Sequence, residues 1–347
     1  MVEYLSGNRI QGSSTLTSAP PATSWKELDR VTLGSSGDTL DTSTFTAKDN
    51  IMFQFHILRP SSGDQNIRIR FNGDSGSNYS ERYSLNGGTD ATATSQANIA
   101  LHSGVVNENF GCFTFVNTAS KEKLCTGDVV GSNTDGSGSS PSRREQIFKW
   151  ANTSDQVTRI EIVNTSSGDF EAGSELVVLG CDNDESDSGS NYWQELASVS
   201  TSSSGAVLSS GTITAKKYLM FEAYMVGSAA QPRSVLRFND DGVTTTYSDR
   251  YQTNGGSDGS TQAHEFIHIS ESDQEYGSLI SGFIINKSDK EKLLISENTN
   301  ALSAGNAPNR FEAVGKWANT SNQITSIQLR THANTFSYAS LKIWGAD

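Results

Sequence analysis

The stretch His264-Glu-Phe-Ile-His268 has the spacing of a zinc-protease motif, H-E-x-x-H. That chemistry needs a helix. There residues four apart stand one turn from each other on the same face, close enough for two imidazoles to bind one metal while the carboxylate activates its water. The surroundings here are strand-like, and on a strand His264 and Glu265 point to opposite faces. A related stretch earlier in the chain, Gln96-Ala-Asn-Ile-Ala-Leu-His102, keeps only the final histidine, and no third ligand follows at a family spacing. The reading is a strand with outward polar side chains.

Two acidic loops come next. Asn72-Gly-Asp-Ser-Gly-Ser-Asn-Tyr79 and Asn239-Asp-Asp-Gly-Val-Thr-Thr-Thr-Tyr247 place Asp74, Asp240 and Asp241 among amide oxygens, the ligand type that Ca²⁺ prefers. The spacing is not that of a calcium-hand loop, and Asp, Asn and Gly are also what turns are made of. Structural calcium is therefore the one metal considered, and no other cofactor is expected. Near the same loops Tyr79, Tyr83, Tyr247 and Tyr251 are candidates for stacking on sugar rings. Trp25, Trp193, Trp150 and Trp317 read as core. Arg82 and Arg250, and the pairs Arg143/Glu145 and Arg310/Glu312, read as structural ion pairs, because residues two apart on a strand share a face.

No nucleophile elbow or phosphate-binding loop is present, and a non-enzymatic protein is expected. The net charge of −13 is spread evenly, with 14 basic against 21 acidic residues up to position 183 and 12 against 18 after it. Such a surface repels phosphate backbones, so nucleic acid is not expected as a partner. No apolar run is long enough for a membrane span, and residues 1–10 lack the basic start and apolar stretch of a secretory leader. Cys112, Cys125 and Cys181 all fall in the first half of the chain. A disulfide or metal framework essential to a duplicated fold would recur, so these read as buried free thiols.

The elements that must carry these residues are legible from an internal repeat. Lys149-Trp-Ala-Asn-Thr-Ser-Asp-Gln-Val-Thr-Arg-Ile-Glu-Ile162 returns, 167 positions on, as Lys316-Trp-Ala-Asn-Thr-Ser-Asn-Gln-Ile-Thr-Ser-Ile-Gln-Leu329. Arg70-Phe71-Asn72 returns as Arg237-Phe238-Asn239, Trp25-Lys-Glu-Leu28 as Trp193-Gln-Glu-Leu196, and Lys121-Glu-Lys-Leu124 as Lys290-Glu-Lys-Leu293. The chain is thus a tandem duplication. It divides into an N-terminal arm (1–22), a first copy (23–182), an acidic linker (183–191) and a second copy (192–347). Within each copy, alternation such as Ile67-Arg-Ile-Arg-Phe71 marks half-buried strands, and Asn86-Gly-Gly88 and Asn254-Gly-Gly256 mark turns. Eight to ten short strands per copy predict an all-β chain of two related β-sandwiches of jelly-roll type, with a barrel as the alternative.

The run Arg-Phe-Asn-(Gly/Asp)-Asp…Tyr-Ser-x-Arg-Tyr…Asn-Gly-Gly, followed by Glu-Lys-Leu and Lys-Trp-Ala-Asn-Thr-Ser-x-Gln, resembles β-sandwich domains of virion proteins. The similarity is to capsid-decorating or fibre-like components of tailed viruses of marine microbes. It covers both copies and marks no catalytic residue. It implies a structural virion protein on the particle surface that meets other virion proteins and itself, as a homo-oligomer such as a trimer. A carbohydrate-binding adhesin that meets a cell-surface glycan is the alternative, and a major capsid subunit with two jelly rolls is another.

Overall fold

The computed structural model describes residues 25–59, 63–105, 107–183, 191–228, 233–271, 276–303 and 305–347. The N-terminal arm expected over residues 1–22 lies outside these, as does the expected linker apart from its two end residues. Among the described residues every regular element is a strand. The first repeat opens with β1 (Lys26–Thr32), β2 (Thr39–Asp41), β3 (Asn50–Ile57), β4 (Gln65–Phe71), β5 (Tyr79–Leu85) and β6 (Ala91–Gln96). It closes with β7 (Ile99–Val105), β8 (Asn109–Val116), β9 (Lys123–Gly131), β10 (Ser142–Trp150), β11 (Ile160–Asn164) and β12 (Glu175–Cys181). The second repeat opens with β13 (Gln194–Thr201), β14 (Val207–Ser209), β15 (Tyr218–Gly227), β16 (Ser234–Phe238), β17 (Tyr247–Thr253) and β18 (Gly259–His264). It closes with β19 (Ile267–His268), β20 (Ser278–Ile285), β21 (Lys292–Asn300), β22 (Asn309–Trp317), β23 (Ile327–Thr331) and β24 (Phe336–Ala346).

Each repeat makes two sheets. Eight strands run in the order β1-β12-β3-β8-β9-β10-β5-β6, and four in the order β2-β11-β4-β7; the second repeat matches strand for strand. Both are therefore β-sandwiches, and the barrel alternative is set aside. Short strands such as β2 and β14, three residues each, carry too few positions to show alternation, so the sequence reading found fewer strands than the fold has.

The inner faces supply the cores. In the first, Phe53, Phe71, Phe113, Phe148 and Trp150 are buried, with Phe53 stacked on Phe113 at 5.2 Å. In the second, Phe221, Phe238, Leu294, Trp317 and Leu341 do the same. The repeated motif proves to be a set of polar pegs in these cores. Trp150 donates its indole N–H to Asp74 at 2.7 Å, and Trp317 to Asp241 at 2.8 Å. Lys123 and Lys292 are fully buried, and each Nζ donates to backbone carbonyls, Asn152 O at 3.0 Å and Asn319 O at 2.7 Å. Asn117 and Asn286 each pin a neighbouring loop, through Val157 and Ile324 respectively. Most buried polar groups in a core are paired in this way.

The chain divides into two compact units. One comprises the described residues through Ser84 with Asp90–Val129 and Arg144–Trp193; the other comprises Leu85–Thr89, Val130–Arg143 and Gln194–Asp347. Segment 130–143, the connection from β9 to β10, thus belongs by sequence to the first repeat and by packing to the second unit. Asn86 and Gly87, both at positive φ (52° and 69°), turn the chain between β5 and β6, and Asn86 exchanges hydrogen bonds with Arg143.

Asn286 tests how much the pegs matter. Its side chain accepts from Ile324 N at 2.6 Å and donates to Lys216 O and Ile324 O at 2.9 and 3.2 Å. Asn286→Ala leaves these buried groups unpaired and is expected to cost about 2–3 kcal/mol. Urea unfolding checks this, and an unchanged midpoint contradicts it.

Candidate functional site

Period-two alternation decides where the candidate residues point. On β5, Tyr79, Glu81 and Tyr83 share the inner face, while Ser80 and Arg82 look outward; β17 places Tyr247, Asp249 and Tyr251 inward likewise. Tyr79 and Tyr247 are fully buried, and their hydroxyls accept from Phe71 N and Phe238 N, each at 2.9 Å. Tyr83 lies under the Arg144 guanidinium at 3.5 Å, and Tyr251 stacks on Phe311 at 5.3 Å. The four tyrosines expected to meet sugar are therefore engaged within the protein, because strand phase turns them towards the opposite sheet.

The carboxylates of the acidic loops are engaged within the protein as well. Asp74 accepts from Gly76 N and Asn78 Nδ2 as well as from Trp150. Burial alone would raise its pKa, but these hydrogen bonds outweigh that and hold it below the usual carboxylate range. Asp241 serves Trp317 and Val243 N, while Asp240 is exposed at positive φ beside it. Carboxylates occupied by N–H donors do not offer a converging cation cage. Among the described residues no three His, Cys, Asp or Glu side chains are placed to hold a metal. All three cysteines are free thiols; Cys112 and Cys125 are buried, Cys181 only partly.

His264-Glu-Phe-Ile-His268 spans the end of β18 and β19 and forms no helix. His264, His268 and His332 gather around Phe266, with ring centroids 4.3, 5.2 and 4.9 Å from its own. His268 pairs with buried Asp249 at 2.9 Å. Strand register also amends the histidine alignment: His268 faces Val235 as Ala100 faces Arg68, so His102 falls two positions further along. His102 sits instead in a buried polar cluster, where Arg144 pairs with Glu81 at 3.0 Å and Gln146 donates to Ala100 O.

What the sequence reading missed is on the outer faces of the eight-stranded sheets. On β9, Cys125 and Val129 enter the first core, which turns Leu124 and Thr126 out. On β10, Phe148 and Trp150 point in, and Ile147 and Lys149 out. With Ser80, Arg82 and Thr92 these outward residues line a groove of about 510 Å³. It continues into a second hollow of about 420 Å³ that shares Leu124 and Thr126. Leu124 is 66% exposed and Ile147 54%. Arg82 pairs with Asp90 at 3.4 Å and Lys149 with Glu122 at 2.9 Å, four charges at an open surface.

In the second unit the same positions are covered. Leu293 and Val314, the counterparts of Leu124 and Ile147, are 0% and 1% exposed. Segment 130–143 is hydrogen-bonded to residues around them. Lys316 donates to the carbonyls of Ser132 and Thr134 at 2.9 and 2.5 Å, and Gly136 N donates to Glu291 at 2.6 Å. Arg250 donates to Pro141 O at 2.9 Å, and Ala263 N to Ser137 O at 3.0 Å. Arg143 closes the contact on Asp258 at 2.8 Å and Glu312 at 3.1 Å. The Arg310–Glu312 pair expected from spacing does form, at 2.9 Å.

No family model matches the chain, and no curated protein matches it. Solved structures that match include the LG1-3 region of the laminin alpha2 chain, at 8% identity and TM-score 0.21, covering 90% of this chain and 64% of that one. The present chain thus spans less than two thirds of that structure. Domains LG4-5 of the mouse laminin alpha1 chain match at 10% identity and TM-score 0.20, covering 95% and 91%. Scores this low carry no argument about the present chain.

The buried histidine gives a pH test. Burial first, then the Arg144 charge, push His102 down from its ordinary 6.5 to about 4, and His264 and His332 are lowered as well. Between pH 6.5 and 4 the unfolded chain therefore binds protons that the folded chain does not, and stability falls as pH falls through that window. Thermal midpoints across it are expected to drop less for His102→Gln than for wild type. Equal slopes contradict this.

Proposed function

We propose that the chain is a non-enzymatic structural protein that assembles through its β-sandwiches, as a decoration or a tail or fibre component on a virus particle. One observation carries the assembly part of this reading. An outer sheet face that is open in the first unit has, in the second, taken a segment of protein over matched residues and paired its charges. A face built this way is suited to polypeptide: apolar side chains at its centre, with paired charges ready to meet backbone carbonyls and guanidinium groups. The virion setting rests on the resemblance of the Arg-Phe-Asn and Lys-Trp-Ala-Asn-Thr-Ser runs. The role of those runs as core pegs is compatible with it, since a scaffold motif marks no catalytic group.

A glycan-binding adhesin is the second reading, favoured by the open groove and its Ser and Thr hydroxyls. Against it, the one aromatic residue lining the groove is Phe148, whose side chain belongs to the core. Sugar rings prefer an exposed aromatic platform.

Sedimentation and a glycan array, run on wild type and on Leu124→Glu/Ile147→Glu, separate the two. Assembly predicts wild-type association that the double variant loses, with unchanged thermal stability because both residues are exposed. Glycan binding that the double variant loses, without any change in sedimentation, contradicts assembly and supports the adhesin.

A further inference from the structure

We infer that the open groove of the first repeat takes the β21–β22 connection of a second copy of this chain, so that chains join head to tail. This rests on the reading of the outer face as a protein-binding face, and names its partner.

The contact within the second unit has two sides, a plug and a socket, and the duplication supplies both twice. The plug that is in use is Ser140-Pro-Ser-Arg143, ending the connection from β9 to β10. Its counterpart is Ala307-Pro-Asn-Arg310, ending the connection from β21 to β22. The two are held alike. Asn86 Oδ1 accepts from Arg143 N, and Asn254 Oδ1 from Arg310 N, both at 2.9 Å. The socket in use offers Arg250 to Pro141 O, Asp258 to Arg143, and Lys316 and Glu291 to the segment before it. In the first repeat the same four positions are Arg82, Asp90, Lys149 and Glu122, identical in residue type.

Exposure separates the used pair from the spare pair. The Arg143 side chain is 2% exposed and that of Asp258 2%, while Arg310 is 57% and Asp90 54%. Pro141 is buried and Pro308 exposed. One chain therefore carries one spare plug, basic at Arg310, and one spare socket, acidic at Asp90 and apolar at Leu124 and Ile147. Plug and socket are different surfaces, so the contact is heterologous: it propagates from chain to chain and ends only if the rotation closes a ring. A trimer is one such ring, and an open filament is the alternative product of the same contact.

The test uses two full-length variants with fold monitored by circular dichroism and thermal midpoint. Asp90→Arg spoils the spare socket, and Arg310→Glu spoils the spare plug. Wild type is expected to grow in mass with concentration by light scattering and sedimentation velocity. Each variant alone is expected to bind itself at least ~10-fold more weakly, because a charge pair at the contact becomes a repulsion. In their equimolar mixture the two reversed charges can face each other, and so can the two native ones, so the mixture is expected to assemble again, with the two variants alternating. Wild type that stays monomeric overturns the proposal. So does assembly that survives in both variants, an outcome that leaves assembly through another surface standing. A mixture that recovers no assembly overturns it too.

Discussion

A β-sheet has two faces, and a sandwich buries only one of them against its partner sheet. Each repeat here pairs an eight-stranded sheet with a four-stranded one, so the larger sheet keeps an outer face that the smaller cannot reach. Where that outer face is apolar, something else must cover it, because exposed apolar area is unfavourable by about 25 cal/mol per Å². The cover over Leu293 and Val314 is a stretch of chain, residues 130–143, and the equivalent Leu124 and Ile147 have none within the first unit.

The duplication separates residues kept for folding from residues that serve a surface. The buried lysines, the Trp–Asp hydrogen bonds and the asparagine pegs recur with almost unchanged distances, as a core requirement should. The polar clusters beside them do not recur. Glu81–Arg144–Gln146 in one repeat becomes Asp249–His268 in the other, two solutions to burying a carboxylate at the same point on β5 and β17. A buried charge must be paired, and which partner does so is free to drift.

Much of the fold was legible because the repeat aligned the sequence with itself. Ile69 and Phe71 alternate into the core as the pattern implied, and Trp150 and Trp317 are buried. The tyrosines were misplaced because they flank polar loops. The pattern Tyr79-Ser-Glu-Arg-Tyr83, read with period two, would have put Tyr79 and Glu81 on one face and Arg82 on the other. The extra residue of the bulge opposite Tyr79 and Glu81 lies on β6, so the phase of β5 itself is unbroken. The outer groove was illegible for another reason. Leu124 and Leu293 are the same residue in the same motif, and only the path of segment 130–143 makes one exposed and the other buried. Strand patterns report local facing, not what a distant segment will cover.

The most direct measurement is a disulfide cross-link across the inferred contact. Ser140 Oγ donates to Thr261 O at 3.2 Å in the second unit, and the counterparts of these residues are Ala307 and Ala93. Chains carrying Ala307→Cys, mixed with chains carrying Ala93→Cys and mildly oxidised, are predicted to yield a cross-linked dimer of one chain of each kind. Neither variant alone should form the band. No dimer from the mixture, or an equal band from either variant by itself, would contradict the account.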